Sequence, residues 1–372
     1  MKLAGFDIYR YTLPFTEPVT LKGVQPHSRK GILLELRDDA GASGLGEASP
    51  LPGFSRESLD DAEYQLYELA SSLVGSSLPA DSHLPECPLT RELDERELAP
   101  SVRFGFELAV YNIYAASQGK ALQGVLSEDP GESVALNGLL IGSGERVLDE
   151  ARRMREAGYE AVKLKVGARD VREDVDLVGA VADVLGDDVA LRLDANRAWS
   201  FEEAVNFLRD TSDLRYEYIE EPLAEPAGLS RLVDEYGARV ALDESLVGMK
   251  PEDLLEHRYA RAVVLKPTLL GGISRALRLG RVAGRIGAAP VISSAYETGV
   301  GTSALISLAA VIGGGRIPAG LDTYRRLAAD VYEPALDLSA PSVSVKQISG
   351  SRGLDRSRLE HIYSSEARVG HG

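Results

Sequence analysis

The chain has 372 residues, 44% of them hydrophobic and 26% charged, and a formal net charge of −16, which argues against a nucleic-acid partner because phosphate contacts need a basic face. Cys87 is the only cysteine, so no internal disulfide forms. No run of about 18 apolar residues offers a membrane span, and the opening MKLAGFDIYRY holds no apolar core of signal-peptide length, so a cytoplasmic protein without a membrane partner is expected.

That length suggests two units, or one large barrel with additions. Residues 1–130 mix patterns. FDIYRYTLPF, KGILLELRDD and GASGLGEASP read as strands of an antiparallel sheet, with a turn at Asp38-Asp39-Ala40-Gly41. Helical stretches follow at Ser58–Leu73 and Ser101–Gln118. Together they predict a small α+β domain.

From residue 131 the rhythm becomes short apolar strand, loop, amphipathic helix. Strands are expected at Val134–Leu140, Ala161–Lys165, Ala190–Asp194, Tyr216–Glu220, Val240–Asp243, Ala262–Lys266 and Pro290–Ser293, with a weaker eighth at Ile317–Leu321. Gly144–Ala157 and Ser274–Ile286 are two of the helices between them. This alternation predicts parallel βα units closed into a barrel over 131–325. About 195 residues is short beside the ~250 typical of such barrels, so the first domain is expected to cap its mouth. Residues 326–372 lose the rhythm and are expected to pack back on the cap. The fold class is therefore α/β: a modified TIM-type (β/α) barrel with an α+β capping domain.

In such barrels the chemistry sits at the carboxyl ends of the strands. Lys165, Asp194, Glu220, Asp243 and Lys266 each close an apolar run, and they recur every 23 to 29 residues. Successive strands would set them side by side on one rim, three carboxylates flanked by two lysines. Taken singly, each has an ordinary explanation as a loop cap or a solvated strand end. Five in order on five successive strands do not. Three carboxylates share a site only with a cation to neutralise them, and all-oxygen ligands suit a hard ion such as Mg²⁺. Zinc is not expected, because His27, His83, His257, His361 and His371 all fall outside these strand ends.

VKLKVG, residues 162–167, places Lys163 and Lys165 on one face of a strand. Neighbouring positive charge and partial desolvation lower a lysine pKa, so Lys163 is expected to help keep Lys165 neutral as a base. A metal holding a carboxylate substrate, with a lysine beside its α-carbon, removes an α-proton and stabilises the resulting enediolate. Glu221 is expected to be an outer or surface group.

The order Lys-x-Lys, Asp, Glu, Asp, Lys resembles the enolase superfamily in its muconate-lactonizing subgroup. GLGEASPLPGFS (44–55), PSVRFGFELA (100–109), LRLDANRAWS (191–200), EEPL (220–223), DESL (243–246), KPTLLGG (266–272), VISSAYETGVG (291–301) and GLDT (320–323) are most similar to its o-succinylbenzoate synthase family. The resemblance implies Mg²⁺, with Mn²⁺ able to substitute, on Asp194, Glu220 and Asp243. It implies a small-molecule carboxylate substrate, dehydrated to o-succinylbenzoate on the way to menaquinone. Lys165 would take the α-proton and return it to the departing hydroxyl, while Lys266 stays charged beside the ring. Lys163, Arg192 and Asn196 would support the site. Ser293 and Ser294 would bind the succinyl arm, Gly320 and Leu321 would contact the substrate, and the loops around Arg29 and Phe54 would close over it. Tyr296 is bulkier than the family pattern leads one to expect.

N-succinylamino acid racemisation needs the same two lysines and stays open as an alternative. Dipeptide epimerisation fits less well, since GLDTY offers only Asp322 where that family carries an Asp-x-Asp pair. Mandelate-type dehydration needs a strand-end histidine. A non-catalytic barrel scaffold is the most distant alternative.

Overall fold

The computed structural model describes residues 1–78, 87–348 and 352–366; His83 and His371 lie outside the described residues. In chain order come β1 (Leu3–Pro14), β2 (Ser28–Asp38), β3 (Ser43–Ala48), α1 (Leu59–Leu73), α2 (Pro88–Glu95), α3 (Pro100–Ser117) and α4 (Leu122–Leu126). There follow β4 (Ser133–Ala135), β5 (Asn137–Leu140), α5 (Glu145–Glu156), β6 (Ala161–Lys165), α6 (Val171–Leu185), β7 (Ala190–Asp194), α7 (Phe201–Asp210), β8 (Tyr218–Glu220), α8 (Leu229–Tyr236), β9 (Val240–Leu242), β10 (Ala262–Leu265), α9 (Pro267–Leu270), α10 (Ile273–Ile286), β11 (Ala289–Ile292) and α11 (Gly299–Val311). The described residues end with β12 (Tyr332–Glu333), β13 (Ser342–Ser344), α12 (Val345–Ile348), β14 (Gly353–Leu354) and β15 (Leu359–Glu366).

The cap is a four-stranded antiparallel sheet in the order β15-β1-β2-β3. Its last strand comes from the far end of the described chain. The turn between β2 and β3 is held by Asp38, whose carboxylate accepts the N–H groups of Ala40 at 3.0 Å and Ala42 at 2.7 Å. Ser58 caps α1 in a reciprocal box with Asp61. Gly46 lets β3 lie directly on α3: a Cβ there would sit 1.8 Å from the Gly105 carbonyl oxygen.

β5 to β11 form a seven-stranded parallel sheet in sequence order. The expected eighth strand is not one. Residues 319 and 320 bridge the two sheet edges instead: Ala319 pairs with Leu136 and Gly320 with Ser293. The N–H of Asn137 donates to Ala319 O and that of Gly320 to Ile292 O, both at 2.8 Å. One residue on each side closes the barrel without a ladder. The expected first strand splits at Leu136, because β4 pairs antiparallel with β13 outside the barrel. No described helix is long and apolar enough to cross a membrane.

Two buried cap carboxylates fix cap to barrel. Glu107 on α3 accepts the Ser274 N–H at 2.9 Å, in the first turn of α10. Glu47 on β3 accepts the N–H groups of Thr298 at 3.0 Å and Gly301 at 2.8 Å, at the start of α11. Helix N-termini favour negative charge, so each contact is a cap supplied by the other layer.

Candidate active site

β6, β7 and β8 end at Lys165, Asp194 and Glu220. The parallel register sets Lys165 beside Asp194 and Asp194 beside Glu220. Asp243 and Lys266 follow one residue beyond β9 and β10. The five strand-end charges therefore share one rim. Asp194, Glu220 and Asp243 are all buried.

The lysines are drawn onto the carboxylates. Lys163 Nζ lies 2.6 Å from Asp194 Oδ2 and 2.7 Å from Glu220 Oε2. Lys165 Nζ donates to Asp194 Oδ2 and to Asn196 Oδ1, both at 2.6 Å. Lys266 Nζ bonds Asp243 Oδ2. Burial works against the charge on Lys163, but Asp194, Glu220 and Asp243 outweigh it and push its pKa well up. Burial is likewise overcome at Lys266 by Asp243 and Glu220, and its pKa rises. Burial also opposes charge on Asp194, yet Lys163, Lys165 and Lys266 hold its carboxyl far below the usual range. Glu220 goes the other way, raised by burial and by the facing Asp194 and Asp243. Lys163 thus neutralises the rim directly, through ion pairs, which differs from the role expected of it as a repulsive neighbour of Lys165.

These residues fit a hard cation. Among the described residues no three carboxylates, histidines or thiols converge on one point. Asp194 and Glu220 do converge, and a positively charged atom, Lys163 Nζ, stands between them at 2.6 to 2.8 Å. Asp243 carries its own ammonium partner. The donor set is oxygen only, as Mg²⁺ requires. Glu244 adds a buried carboxylate without a hydrogen bond, 3.5 Å from Lys22 Nζ. Burial, then Asp243, raises its pKa.

Glu221 is not a surface group. It is fully buried and accepts from the N–H of Asp243 at 2.9 Å, from Ser245 N–H at 2.7 Å and from Arg197 Nε at 2.9 Å. Arg192 is buried too and bonds none of the three carboxylates. Its Nε donates to Glu217 at 2.6 Å, one Nη to Pro318 O at 2.8 Å, and its guanidinium lies over Tyr218.

A cavity of about 350 Å³ opens above the rim. Lys163, Lys165, Asn196 and Lys266 line its floor, and Ser293, Ser294 and Gly320 one side. Phe54, Leu21 and Leu51 from the cap close the roof with Leu269 and Tyr296. Two expected residues are elsewhere. Arg29 is 2% exposed and its guanidinium donates to backbone carbonyls, among them Pro50 O at 2.6 Å. Leu321 is fully buried in the main core. The cavity also holds Lys22, Asn137, Asp322 and Thr323. Asp322 and Thr323 follow Gly320 in GLDT and were within reach of the sequence. Lys22 sits in a loop with no periodic pattern to place it.

Comparison with known proteins settles the family. Residues 146–351 match the family model described as "Enolase C-terminal domain-like", and residues 3–113 match "MenC, N-terminal domain". The chain belongs to the enolase superfamily. The o-succinylbenzoate synthase of Pasteurella multocida is 30% identical to this superfamily member over 349 residues, covering 91% of this chain and 95% of the relative. Protein PHYLLO, chloroplastic, of Arabidopsis thaliana is 34% identical over 346 residues; the match covers 83% of this chain but only 20% of that longer protein. The muconate lactonizing enzyme of Pseudomonas fluorescens, complexed with muconolactone, superposes with a TM-score of 0.84 at 23% identity, covering 96% of this chain and 98% of its own. A dipeptide epimerase from Enterococcus faecalis, complexed with Mg and a dipeptide, gives 0.82 at 22% identity, covering 97% and 100%. The chain is therefore an enzyme of this superfamily that resembles its o-succinylbenzoate synthases.

Proposed function

We propose that this enzyme is a lyase that dehydrates 2-succinyl-6-hydroxy-2,4-cyclohexadiene-1-carboxylate to o-succinylbenzoate, with Mg²⁺, in menaquinone biosynthesis. The observation that carries this reading is the charge division of the cavity. Lys22, Lys163, Lys165 and Lys266 line it, Asp322 is the one carboxylate lining it among the described residues, and Leu21, Leu51 and Phe54 give the cap side an apolar surface beside Thr20 and Lys22. Such a space takes a carboxylate-bearing, largely apolar ring. The likeness to o-succinylbenzoate synthases along 91% of the chain supports the same substrate.

Asp194, Glu220 and Asp243 would hold Mg²⁺, which supplies positive charge to the substrate carboxylate and makes the α-proton acidic. Lys165 Nζ takes that proton, and the electron pair moves into the carboxylate. The pair then returns to form the ring double bond as the C–O bond to the hydroxyl breaks. Lys165 gives its proton to the departing oxygen, and water leaves from the same face. Lys266 keeps its proton throughout and faces the electron-rich ring. Ser293, Ser294 and Gly320, which line one side of the cavity, would take the succinyl arm, and the cap roof would exclude water.

The test is incubation of the purified protein with this substrate and Mg²⁺, followed by detection of o-succinylbenzoate. No product at any metal concentration would sink the reading. A second reading, N-succinylamino acid racemisation, is favoured by one observation: both Lys165 and Lys266 reach the same cavity. Deuterium uptake at the α-carbon of N-succinylamino acids, faster than dehydration, would put that activity first.

A further inference from the structure

Among the described residues, five other than glycine adopt left-handed backbone: Lys22 (φ 44°), Asn196 (45°), Arg197 (61°), Glu221 (41°) and Tyr296 (62°). Lys22, Asn196 and Tyr296 line the cavity, and Arg197 and Glu221 brace its rim from behind. Asparagine tolerates this conformation; a bulky aromatic residue does so only under constraint. Tyr296 is the one aromatic residue among the five, and its turn is held in place.

The holder is Arg29 of β2. Its Nε donates to Tyr296 O at 3.0 Å and an Nη donates to Ala295 O at 3.3 Å. Its remaining donors reach the carbonyls of Lys30, Ser49 and Pro50 in the cap. No carboxylate pairs with this buried guanidinium among these contacts. What it fixes is geometry: the turn after β11 is sewn to the cap. The consequence falls on the Tyr296 ring. It packs edge-on against Phe15, with ring centroids 5.6 Å apart, and joins an apolar cluster with Leu21, Leu51 and Leu269. That cluster is separate from the main core and forms the roof opposite the lysines.

We propose that Tyr296 is the specificity-determining residue of the cavity, and that Arg29 is the positioning residue that aims it. The ring limits how large a group the substrate can carry toward the cap. It admits a flat ring acid with one acyl arm and turns away N-acylamino acids with bulky side chains. This inference rests on the dehydration reading above for the identity of the preferred substrate.

The test compares the wild-type enzyme with Tyr296→Gly, Tyr296→Asn and Tyr296→Phe, all loaded with Mg²⁺. Glycine and asparagine both accept left-handed backbone, so either keeps the turn if the other fails to fold. Two rates are read: dehydration of the cyclohexadiene carboxylate, and deuterium uptake at the α-carbon of N-succinylphenylalanine and N-succinylalanine. In the Gly or Asn variant kcat/KM for the phenylalanine compound, relative to the alanine compound, should rise at least about tenfold through KM, while Tyr296→Phe should stay within about twofold of wild type, since even one methylene in an apolar pocket is worth about 10–200-fold. A wild type that dehydrates normally while the Gly and Asn variants keep its preference overturns this inference alone. So does a Phe variant that shifts the preference as far as Gly. A wild type that turns over neither class overturns the dehydration reading, and this inference with it.

Discussion

Glu221 accepts the backbone N–H of Asp243 at 2.9 Å. The same carboxylate takes the N–H and the hydroxyl of Ser245 and is braced by Arg197. A fully buried glutamate next in sequence to Glu220 thereby sets the turn that presents Asp243 and Glu244. Its own left-handed backbone sends its side chain away from the rim and under the neighbouring strand end. Two adjacent glutamates thus do two jobs.

Glu221→Gln should therefore weaken the site. One amide oxygen can still accept, but the amide nitrogen must face either Arg197 or two backbone N–H groups, donor against donor. Changes in groups that orient metal ligands typically cost about 10–100-fold in metal affinity. Calorimetric titration with Mg²⁺ should show a loss in that range, with circular dichroism unchanged. Binding and turnover equal to wild type would mean the turn holds its shape without the carboxylate.

Lys163→Met should destabilise the metal-free protein more than the Mg²⁺-loaded one. Without its ammonium, buried Glu220 loses its ion pair and faces Asp194, which keeps Lys165 as its partner. Breaking a buried pair from one side costs about 3–5 kcal/mol. A divalent cation between the same two carboxylates restores the balance, so part of that loss should disappear in Mg²⁺. Urea unfolding with and without the metal gives the comparison. An equal loss in both conditions would place the cation elsewhere.

Chelation should abolish turnover and leave the far-ultraviolet circular dichroism intact. The three carboxylates stand at the ends of different strands of one parallel sheet, and Lys163, Lys165 and Lys266 pair with them. Collapse of the spectrum on chelation would make the ion structural.

The strand ends were legible because each carries a charge after an apolar run. β6 and β7 run as the alternation predicts, and the charges fall on one rim. The eighth strand was not legible, since only Ala319 and Gly320 pair, one with each edge. Arg29 is expected near the substrate and Glu221 as an outer or surface group; Arg29 is instead a buried brace, and Glu221 takes the outer place, buried rather than at the surface. Charge in a sequence reads as surface or substrate contact, and nothing local tells that a guanidinium will meet five carbonyls or a carboxylate two N–H groups from another strand. The partners that matter most are not adjacent in the chain: Glu221 reaches Asp243 across 22 positions and Arg29 reaches Tyr296 across 267.

Asp94 gives a pH-dependent contact between cap and barrel. Arg278 of α10 donates to it at 3.0 and 3.1 Å, and Arg103 of α3 lies 2.7 Å away. Burial opposes its charge, but the two arginines win and its pKa falls below 3.8. A depressed carboxylate stabilises fully above its unfolded pKa and loses that contribution as pH falls through the folded one. Asp94→Asn should therefore cost about 1 kcal/mol or less at pH 7, because the group is partly exposed and screened. The gap to wild type should narrow as the pH falls below 3.8 and through the lowered folded value. A gap that persists in acid would assign the effect to packing.

Arginine substitution separates the two lysines of the cavity. A base must give up its proton, and a guanidinium never does so in a protein. Lys165, which reaches Asp194 and Asn196 at the cavity floor, is assigned the proton transfers. Lys266 is assigned a permanent charge, in keeping with the upward push on its pKa from Asp243 and Glu220 against burial. Lys165→Ala and Lys165→Arg should then fall together, by at least the 10²–10⁴-fold that general acid–base catalysis typically contributes. Lys266→Ala should fall as well, but Lys266→Arg should recover part of the loss, because a cation returns to the same wall. The readout is kcat for dehydration at saturating Mg²⁺, with solvent deuterium entering the substrate as an independent report on proton removal. If Lys165→Arg turns over while Lys266→Arg is as inactive as Lys266→Ala, the two roles are exchanged and Lys266 is the base.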